Sequence, residues 1–470
     1  MNPVMPHTMQ SPRVVARVLE SRRRPACQIR PSCARLATRI RRLYICRVIS
    51  PSINGTRICL ATPLFYPSYG GAQLRYKRYL PGLREHGADV RVFAGTATPL
   101  DFTPEDAYER WSEYRLGRML PVESAGGTPV HRVRLPDGKG PLHRTIYQHA
   151  LWRFCRNREY RPDVLQLLGT IRIGAIPWIR QLRRMGIATV YAVTTASKVT
   201  RRVEGFDRRL FKFRSIFNSM DCIVTNSDHL RGMLCEMGVT TRVEAISNGV
   251  DLRRFDADVS SSRPAELRAR LGIGPHDPMI VSVGNIMARK GSDLLVEAFS
   301  RLARVHRDAH LVFVGPSQVG GEAHHRAFQG SLARLVDQSG VAEKIHFVGL
   351  SDEVPEYLRA ADVLALPSKR EGLPNAVIEA MACRTPVVIT PFEGLCDDLG
   401  KPDGEYLLAD FDPVSLASCL QRLIEEKPLA QAIARRGQEL VRRSMSLERS
   451  VARYAELYGE LAAQGGGRAR

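Results

Sequence analysis

The sequence lacks any run of about 20 uninterrupted apolar residues, the length a membrane-spanning helix needs. It also lacks a CxxC pair or a Cys/His spacing suited to zinc, its ten cysteines being scattered from Cys27 to Cys419. That pattern fits a reducing compartment, and a cytoplasmic setting is expected. Aromatic residues make up only 7% of the chain. So small an aromatic share argues against nucleic acid as a partner. No internal repeat is visible. Acidic residues are nearly missing from one region: residues 1–55 hold eleven Arg and a single acid, Glu20, which gives +10 of the net +21. This tail has no clean apolar stretch and no cleavage motif, so it does not read as a secretory signal. It is read as a basic, disordered extension or an over-long translation start. An Arg-rich, acid-poor segment also fits a transit peptide or an anchor on an anionic membrane at its inner face.

What is present is enough for two domains of roughly 200 residues in 470. The hydrophobic share of 44% with 25% charged residues is that of a globular protein. From Arg57 short apolar runs alternate with amphipathic stretches. Arg57 to Ala61 is the first run, followed by a Pro- and Gly-rich loop through Gly70 and Gly71, a helical pattern from Ala72 to His86 and a second run from Ala88 to Phe93. Further strands are expected at Asp163–Leu168, Ala188–Val193, Asp221–Thr225 and Val243–Ile246. A second series follows Asn248, at Met279–Val283, Ala309–Val314, Ile345–Val348, Asp362–Leu366 and Pro386–Ile389. Strand, loop and helix in this order define an α/β chain with parallel sheets, whose ligands bind outside the carboxyl ends of the strands. The expected division is a 56–247 domain, a 248–445 domain and a 446–470 helix that returns to the first lobe before a frayed end.

Three stretches carry chemistry. Gly70-Gly71 opens a helix, where bare backbone can approach an anion, although an ordinary turn explains the pair equally well. Gly284 to Gly291 (GNIMARKG) places Asn285 after a strand and Arg289 and Lys290 at the start of a helix that ends near Arg304. Two cations there can stabilise a diphosphate, or simply face solvent. The strongest stretch is Leu366 to Cys383 (LPSKREGLPNAVIEAMAC). Glu371 falls in the loop after a strand, Gly372 and Leu373 can present backbone N–H groups, and Pro374 and Asn375 open a helix that carries Glu379. Carboxylates so placed suit sugar hydroxyls and a ribose diol. A solvated pair of glutamates would not account for the Gly-Leu-Pro wedge between them.

Over residues 57–460 these motifs resemble the retaining glycosyltransferases of the GT-B fold, family 4, which have two Rossmann-like lobes facing across a cleft. In that family a Glu-x7-Glu motif binds the donor, and Glu371 and Glu379 match it. The resemblance implies that Glu371 meets the transferred sugar and Glu379 the ribose. It also implies that the Gly372 and Leu373 amides and Lys290 meet the diphosphate, with Arg289 beside them. Asn248-Gly249-Val250-Asp251 matches the interdomain segment and Gly70-Gly71 the glycine loop of the acceptor-side lobe. Two positions depart from the family: Asn285 stands where an Arg is common, and Thr194 where many members carry an active-site His.

The resemblance implies a retaining, metal-independent hexosyl transfer from a nucleotide sugar, UDP- or GDP-linked, to a glycan or lipid-linked acceptor in cell-surface polysaccharide or glycolipid synthesis. The nucleotide sugar is a co-substrate, and no cofactor or metal is implied. Asp397-Asp398 is read as surface charge away from the donor loop. The competing reading, favoured by Thr194 and Asn285, is a catalytically silent nucleotide-sugar-binding or scaffold protein of the same fold. An epimerase of like fold ranks below both.

Overall fold

The computed structural model describes residues 53–67, 71–96, 105–137, 140–169, 173–194, 208–256, 262–317 and 323–468. The tail up to residue 52 and Gly70 lie outside the described residues. The apolar runs form two sheets. The first contains β1 (Arg57–Thr62), β2 (Asp89–Gly95), β3 (Glu123–Ala125), β4 (Thr128–Val133), β5 (Val164–Leu168), β6 (Ala188–Val193), β7 (Cys222–Thr225) and β8 (Arg242–Ala245). Its order is β3-β4-β2-β1-β5-β6-β7-β8, all parallel except the β3–β4 hairpin. The second contains β9 (Met279–Val283), β10 (His310–Val314), β11 (Ile345–Gly349), β12 (Val363–Leu366), β13 (Val387–Ile389) and β14 (Leu407–Leu408), in the order β11-β10-β9-β12-β13-β14.

Both sheets are covered on both faces, which is why their strands read as continuous apolar runs. Along β1, Ile58 and Leu60 face one core while Cys59 and Ala61 face another. The first core is closed by the Gly71–Glu85 helix and by the C-terminal helix Leu447–Arg468, through Tyr79, Leu80, Tyr454 and Tyr458. The second lies under the helices Pro141–Arg156, Ile176–Arg184 and Arg208–Phe217. Along β12, Val363 and Ala365 face the Ser292–Leu302 helix, and Leu364 and Leu366 face the Asn375–Ala382 helix.

The chain crosses between the lobes twice, and the crossings pair with each other. Val250 N–H donates to the Met445 carbonyl at 2.9 Å, and Leu447 N–H donates to the Val250 carbonyl at 2.8 Å.

The hairpin β3–β4 and the short β14 escape the apolar-run reading. In β4 the sequence TPVHRV carries Pro129, His131 and Arg132, polar signals that normally mark surface. Arg132 is nevertheless buried: its Nε donates to Glu123 at 2.7 Å, another guanidinium nitrogen reaches the Gly95 carbonyl at 3.2 Å, and its Cζ lies 4.6 Å from the centroid of the Trp111 ring. Pairing removes the cost that would otherwise keep the charge outside.

Candidate active site

In the second sheet β9 and β12 are neighbours, although β10 and β11 lie between them in sequence. The connections after β9 and after β12 therefore leave the same sheet edge side by side, at the point where the strand order reverses. This is where an open parallel sheet forms its binding crevice. The loop after β9 turns at Gly284 and continues into a short 3-10 turn, Ala288–Lys290. The structure corrects one expectation here: Arg289 and Lys290 do not begin the following helix. Gly291 separates them from it, with φ of 68°. A Cβ at Gly291 would lie 2.1 Å from the Pro367 carbonyl oxygen, so the β9 loop packs directly on the β12 loop.

That contact brings the two sets of charges together. The Lys290 ammonium lies 2.8 Å from Glu371 Oε1, and the Arg289 guanidinium donates to the same oxygen at 3.1 Å and to the Arg370 carbonyl at 2.6 Å. The Glu371 side chain is only 11% exposed. Burial by itself raises its carboxyl, but the Lys290 and Arg289 charges overcome that and hold it below the usual carboxylate range. Glu371 is thus an anionic hydrogen-bond acceptor at neutral pH, and one positive charge remains in surplus beside it. The Gly372 and Leu373 amides donate to no protein group among the described residues, while the Leu373 carbonyl accepts from Asn248 Nδ2 at 2.9 Å.

Glu379 sits one turn inside the Asn375–Ala382 helix, of which Pro374 is the N-cap. Its neighbours Val377, Ile378, Ala380 and Met381 are buried, and Glu379 is itself 5% exposed. Its partner comes from the other lobe: an Arg78 guanidinium nitrogen donates to Glu379 Oε1 at 2.6 Å. Asn375 Oδ1 accepts from Asn248 Nδ2 at 2.8 Å, and Asn248 Oδ1 accepts from Arg75 at 2.5 Å.

The first sheet supplies the opposite wall. A Cβ at Gly372 would lie 2.1 Å from the Thr194 carbonyl oxygen and 3.0 Å from Asn226 Nδ2, so only glycine fits there. Thr194, at the end of β6, therefore borders the Glu371 loop through its backbone. Asn226 Nδ2 points to the Thr194 carbonyl at 3.4 Å, and its Oδ1 is buried without a partner. Asp398 corrects a second expectation. The Glu371 N–H donates to the Glu393 carbonyl, five residues before Asp398 in the chain, and Asp398 Oδ2 accepts from the Asp228 N–H at 2.9 Å, while Asp397 is exposed. Asp398 is thus a bridge to the Asp228–Glu236 helix of the first lobe.

Of the residues singled out from sequence, Lys290, Arg289, Glu371, Gly372, Leu373, Gly284 and Asn285 gather around one crevice. Gly71 is the first residue of its helix, and Gly70 is not among the described residues. The sequence reading missed Arg78, Asn226 and Asp398. Arg75, Arg78 and Tyr79 recur at helical spacing on Gly71–Glu85, beside the core-facing Tyr76, Leu80 and Leu83, and this placement of two arginines along the core edge carried the signal for Arg78.

Two Rossmann-like lobes whose strand ends meet across a cleft make the GT-B fold, and comparison with solved structures bears this out. The sucrose-phosphate synthase of Thermosynechococcus elongatus superposes with a TM-score of 0.67 at 21% identity, covering 87% of this chain and 100% of that one. Anabaena HepE, solved in complex with UDP and glucose, gives 0.63 at 17% identity, covering 86% and 99%. The family model "Glycosyltransferase Family 4" matches residues 69–254, and "Glycosyl transferases group 1" matches residues 264–440. The D-inositol 3-phosphate glycosyltransferase of Salinispora arenicola is 30% identical over 309 residues, 62% of this chain and 67% of that protein. Its counterpart in Jonesia denitrificans is 31% identical over 196 residues, 41% and 45%. The lipopolysaccharide core biosynthesis mannosyltransferase LpsB of Rhizobium meliloti is 26% identical, over 71% and 83%. The chain belongs to the family 4, group 1 glycosyltransferases. It spans about half to two thirds of the length of the inositol-phosphate glycosyltransferases it matches.

Proposed function

We propose that this protein is a retaining, metal-independent glycosyltransferase that moves a hexosyl group from a UDP- or GDP-linked sugar to a hydroxyl of a glycan or lipid-linked acceptor. The observation that carries the reading is Glu371. A buried carboxylate accepts from two cations and lies one residue before two unengaged amides, at the switch point of the second sheet. Glu371 accepts hydrogen bonds from sugar hydroxyls. Lys290, Arg289 and the Gly372 and Leu373 amides receive the negative charge that grows on the leaving diphosphate. Charge stabilisation that exists before the bond breaks costs no reorganisation during the step, so an oxocarbenium-like transition state is lowered relative to bound donor. HepE, solved with UDP and glucose, supports a nucleotide-sugar donor. LpsB supports a cell-surface glycan or glycolipid as the product.

Charge distribution supports contact with an anionic membrane. Residues 141–220 contain sixteen Lys and Arg against four Asp and Glu, a net +12, so with +10 in residues 1–55 the rest of the chain is close to neutral. Arg153, Arg156, Arg180 and Arg184 are exposed on the helices that cover one face of the first sheet. No helix among the described residues is long and apolar enough to cross a membrane, so such contact is peripheral.

The test is a screen of UDP- and GDP-sugars by thermal stabilisation, followed by donor hydrolysis and transfer assays with and without excess EDTA. A ligand at 100 times its dissociation constant adds about 2.7 kcal/mol of stability. The expected result is stabilisation by one nucleotide sugar and turnover that survives EDTA. Loss of turnover restored by magnesium overturns metal independence. The second reading, a silent nucleotide-sugar-binding protein, is favoured by Thr194, which borders the loop through its carbonyl. It requires binding without hydrolysis or transfer.

A further inference from the structure

We propose that Arg78 is a positioning residue: from the N-terminal lobe it orients the Glu379 carboxylate for the ribose of the donor, so that nucleotide affinity is set by both lobes. The inference rests on the donor reading above and goes beyond it, because no residue of the first lobe has a part in nucleotide recognition there.

The starting point is a carboxylate in an apolar place. Glu379 lies within a helix whose other residues from Ala376 to Ala382 are buried, and an ionised carboxylate in such surroundings needs a partner. The two cations that its own lobe brings to the crevice, Lys290 and Arg289, both bind Glu371. Among the described residues, the cation that reaches Glu379 is Arg78, itself 25% exposed along its side chain.

The contact is one of two rungs between the same pair of helices. In the first rung Arg75 holds Asn248 Oδ1 while Asn248 Nδ2 holds Asn375 Oδ1. In the second Arg78 holds Glu379. Residues 75 and 78 are one turn apart on Gly71–Glu85, and residues 375 and 379 are one turn apart on Asn375–Ala382. The Tyr79 hydroxyl, accepting from Gly249 N–H at 2.9 Å, fixes the same turn to the interlobe segment. A rigid helix therefore delivers the guanidinium to Oε1. A glutamate held in one rotamer has less freedom to lose when a diol binds, a gain of about three- to tenfold in affinity for one ordered side chain.

The experiment titrates the intact protein, Arg78→Met, Arg78→Lys, Glu379→Gln and the Arg78→Met/Glu379→Gln double variant with UDP and GDP. The tighter nucleotide is then replaced by its free nucleoside and by its 2′,3′-dideoxy diphosphate. Arg78→Met should weaken diphosphate and nucleoside by the same factor, about tenfold at most, with partial recovery in Arg78→Lys. The double variant should be no weaker than Glu379→Gln, and the dideoxy nucleotide should bind Arg78→Met and the intact protein alike. Unchanged binding of the nucleotide by Arg78→Met overturns the proposal. So does an additive loss in the double variant, a loss for the diphosphate but not the nucleoside, or an equal loss for the dideoxy nucleotide, which would mark a general weakening of the lobe contact. If the intact protein binds neither UDP nor GDP, the donor reading falls, and this proposal with it.

Discussion

Glu371 and Glu379 belong to one nine-residue segment and are both buried, yet they are wired in opposite ways. Glu371 is neutralised from within its own lobe, by two cations on the loop after the adjacent strand. Glu379 is neutralised across the cleft, among the described residues by one arginine on a helix of the other lobe. The first arrangement depends on strand order alone and is complete once the second sheet folds. The second exists only while the lobes meet. A carboxylate whose charge environment is fixed locally suits the reacting end of a donor, where electrostatics must be set in advance. One that depends on the partner lobe suits the end that reports binding.

The largest test of this contrast removes a cation from the local cluster. Lys290→Ala should lower kcat/KM for transfer by at least about a hundredfold, the scale of losing one stabiliser of developing charge. Thermal stability serves as the control for folding. A near-normal rate would shift the diphosphate role to Arg289 or remove it from this loop.

A smaller effect should separate the two carboxylates directly. Glu379→Ala should weaken free nucleotide and nucleotide sugar alike, by roughly tenfold or more, as expected for hydrogen bonds to a charged group. Glu371→Ala should bind free nucleotide nearly as the intact protein does and lose transfer, because its hydroxyl contacts count most in the transition state. Calorimetric titration with the nucleoside diphosphate, paired with a transfer assay, measures both. Equal loss of nucleotide affinity in the two variants would erase the distinction between the local and the cross-lobe carboxylate.

The sequence made the first half of the comparison legible and hid the second. Ala188–Val193 and Met279–Val283 are found as strands at their observed limits because burial on both faces leaves an uninterrupted apolar signature. Lys290 and Glu371 are legible for a related reason: each follows such a strand, and loops after parallel strands gather at one edge. The separation of Arg289 and Lys290 from the following helix by Gly291 was not legible, since it depends on the close approach of the Pro367 carbonyl. Arg78 lies 301 residues from Glu379, and nothing local to either residue encodes their pairing. Asp398 reads as surface charge for the same reason, its partner being a backbone N–H of the other lobe. The β4 strand was hidden because its buried Arg132 is paired rather than apolar.

The smallest effect tests the balance of forces on Glu371 through pH. Burial pushes its carboxyl up, while Lys290 first and Arg289 second push it down, and the cations prevail. Folded-state ionisation below the usual carboxylate range means that the charge is present at neutral pH and persists until pH falls through that lowered value, while the stability it contributes declines from the ordinary carboxylate range downward and is gone below the lowered value. Replacing Lys290 by Met removes the larger opposing influence and leaves burial with only Arg289 against it. The Glu371 carboxyl should then protonate at higher pH than in the intact protein. Nucleotide-sugar affinity, which in the proposed site needs the carboxylate as an acceptor, should therefore fall away at a higher pH in Lys290→Met than in the intact protein. Affinity for the free nucleoside diphosphate, which does not draw on Glu371, should show no such displacement. Calorimetric titrations of both ligands across the acid range, on the intact protein and on Lys290→Met, measure the difference. The same displacement should be absent from Arg78→Met, whose guanidinium acts on Glu379 across the cleft. If the acid limb stays in place in Lys290→Met, the cation does not govern the Glu371 carboxyl. If it moves in Arg78→Met as well, the Glu371 carboxyl is not governed from within its own lobe alone, and the separation into a local and a cross-lobe member fails.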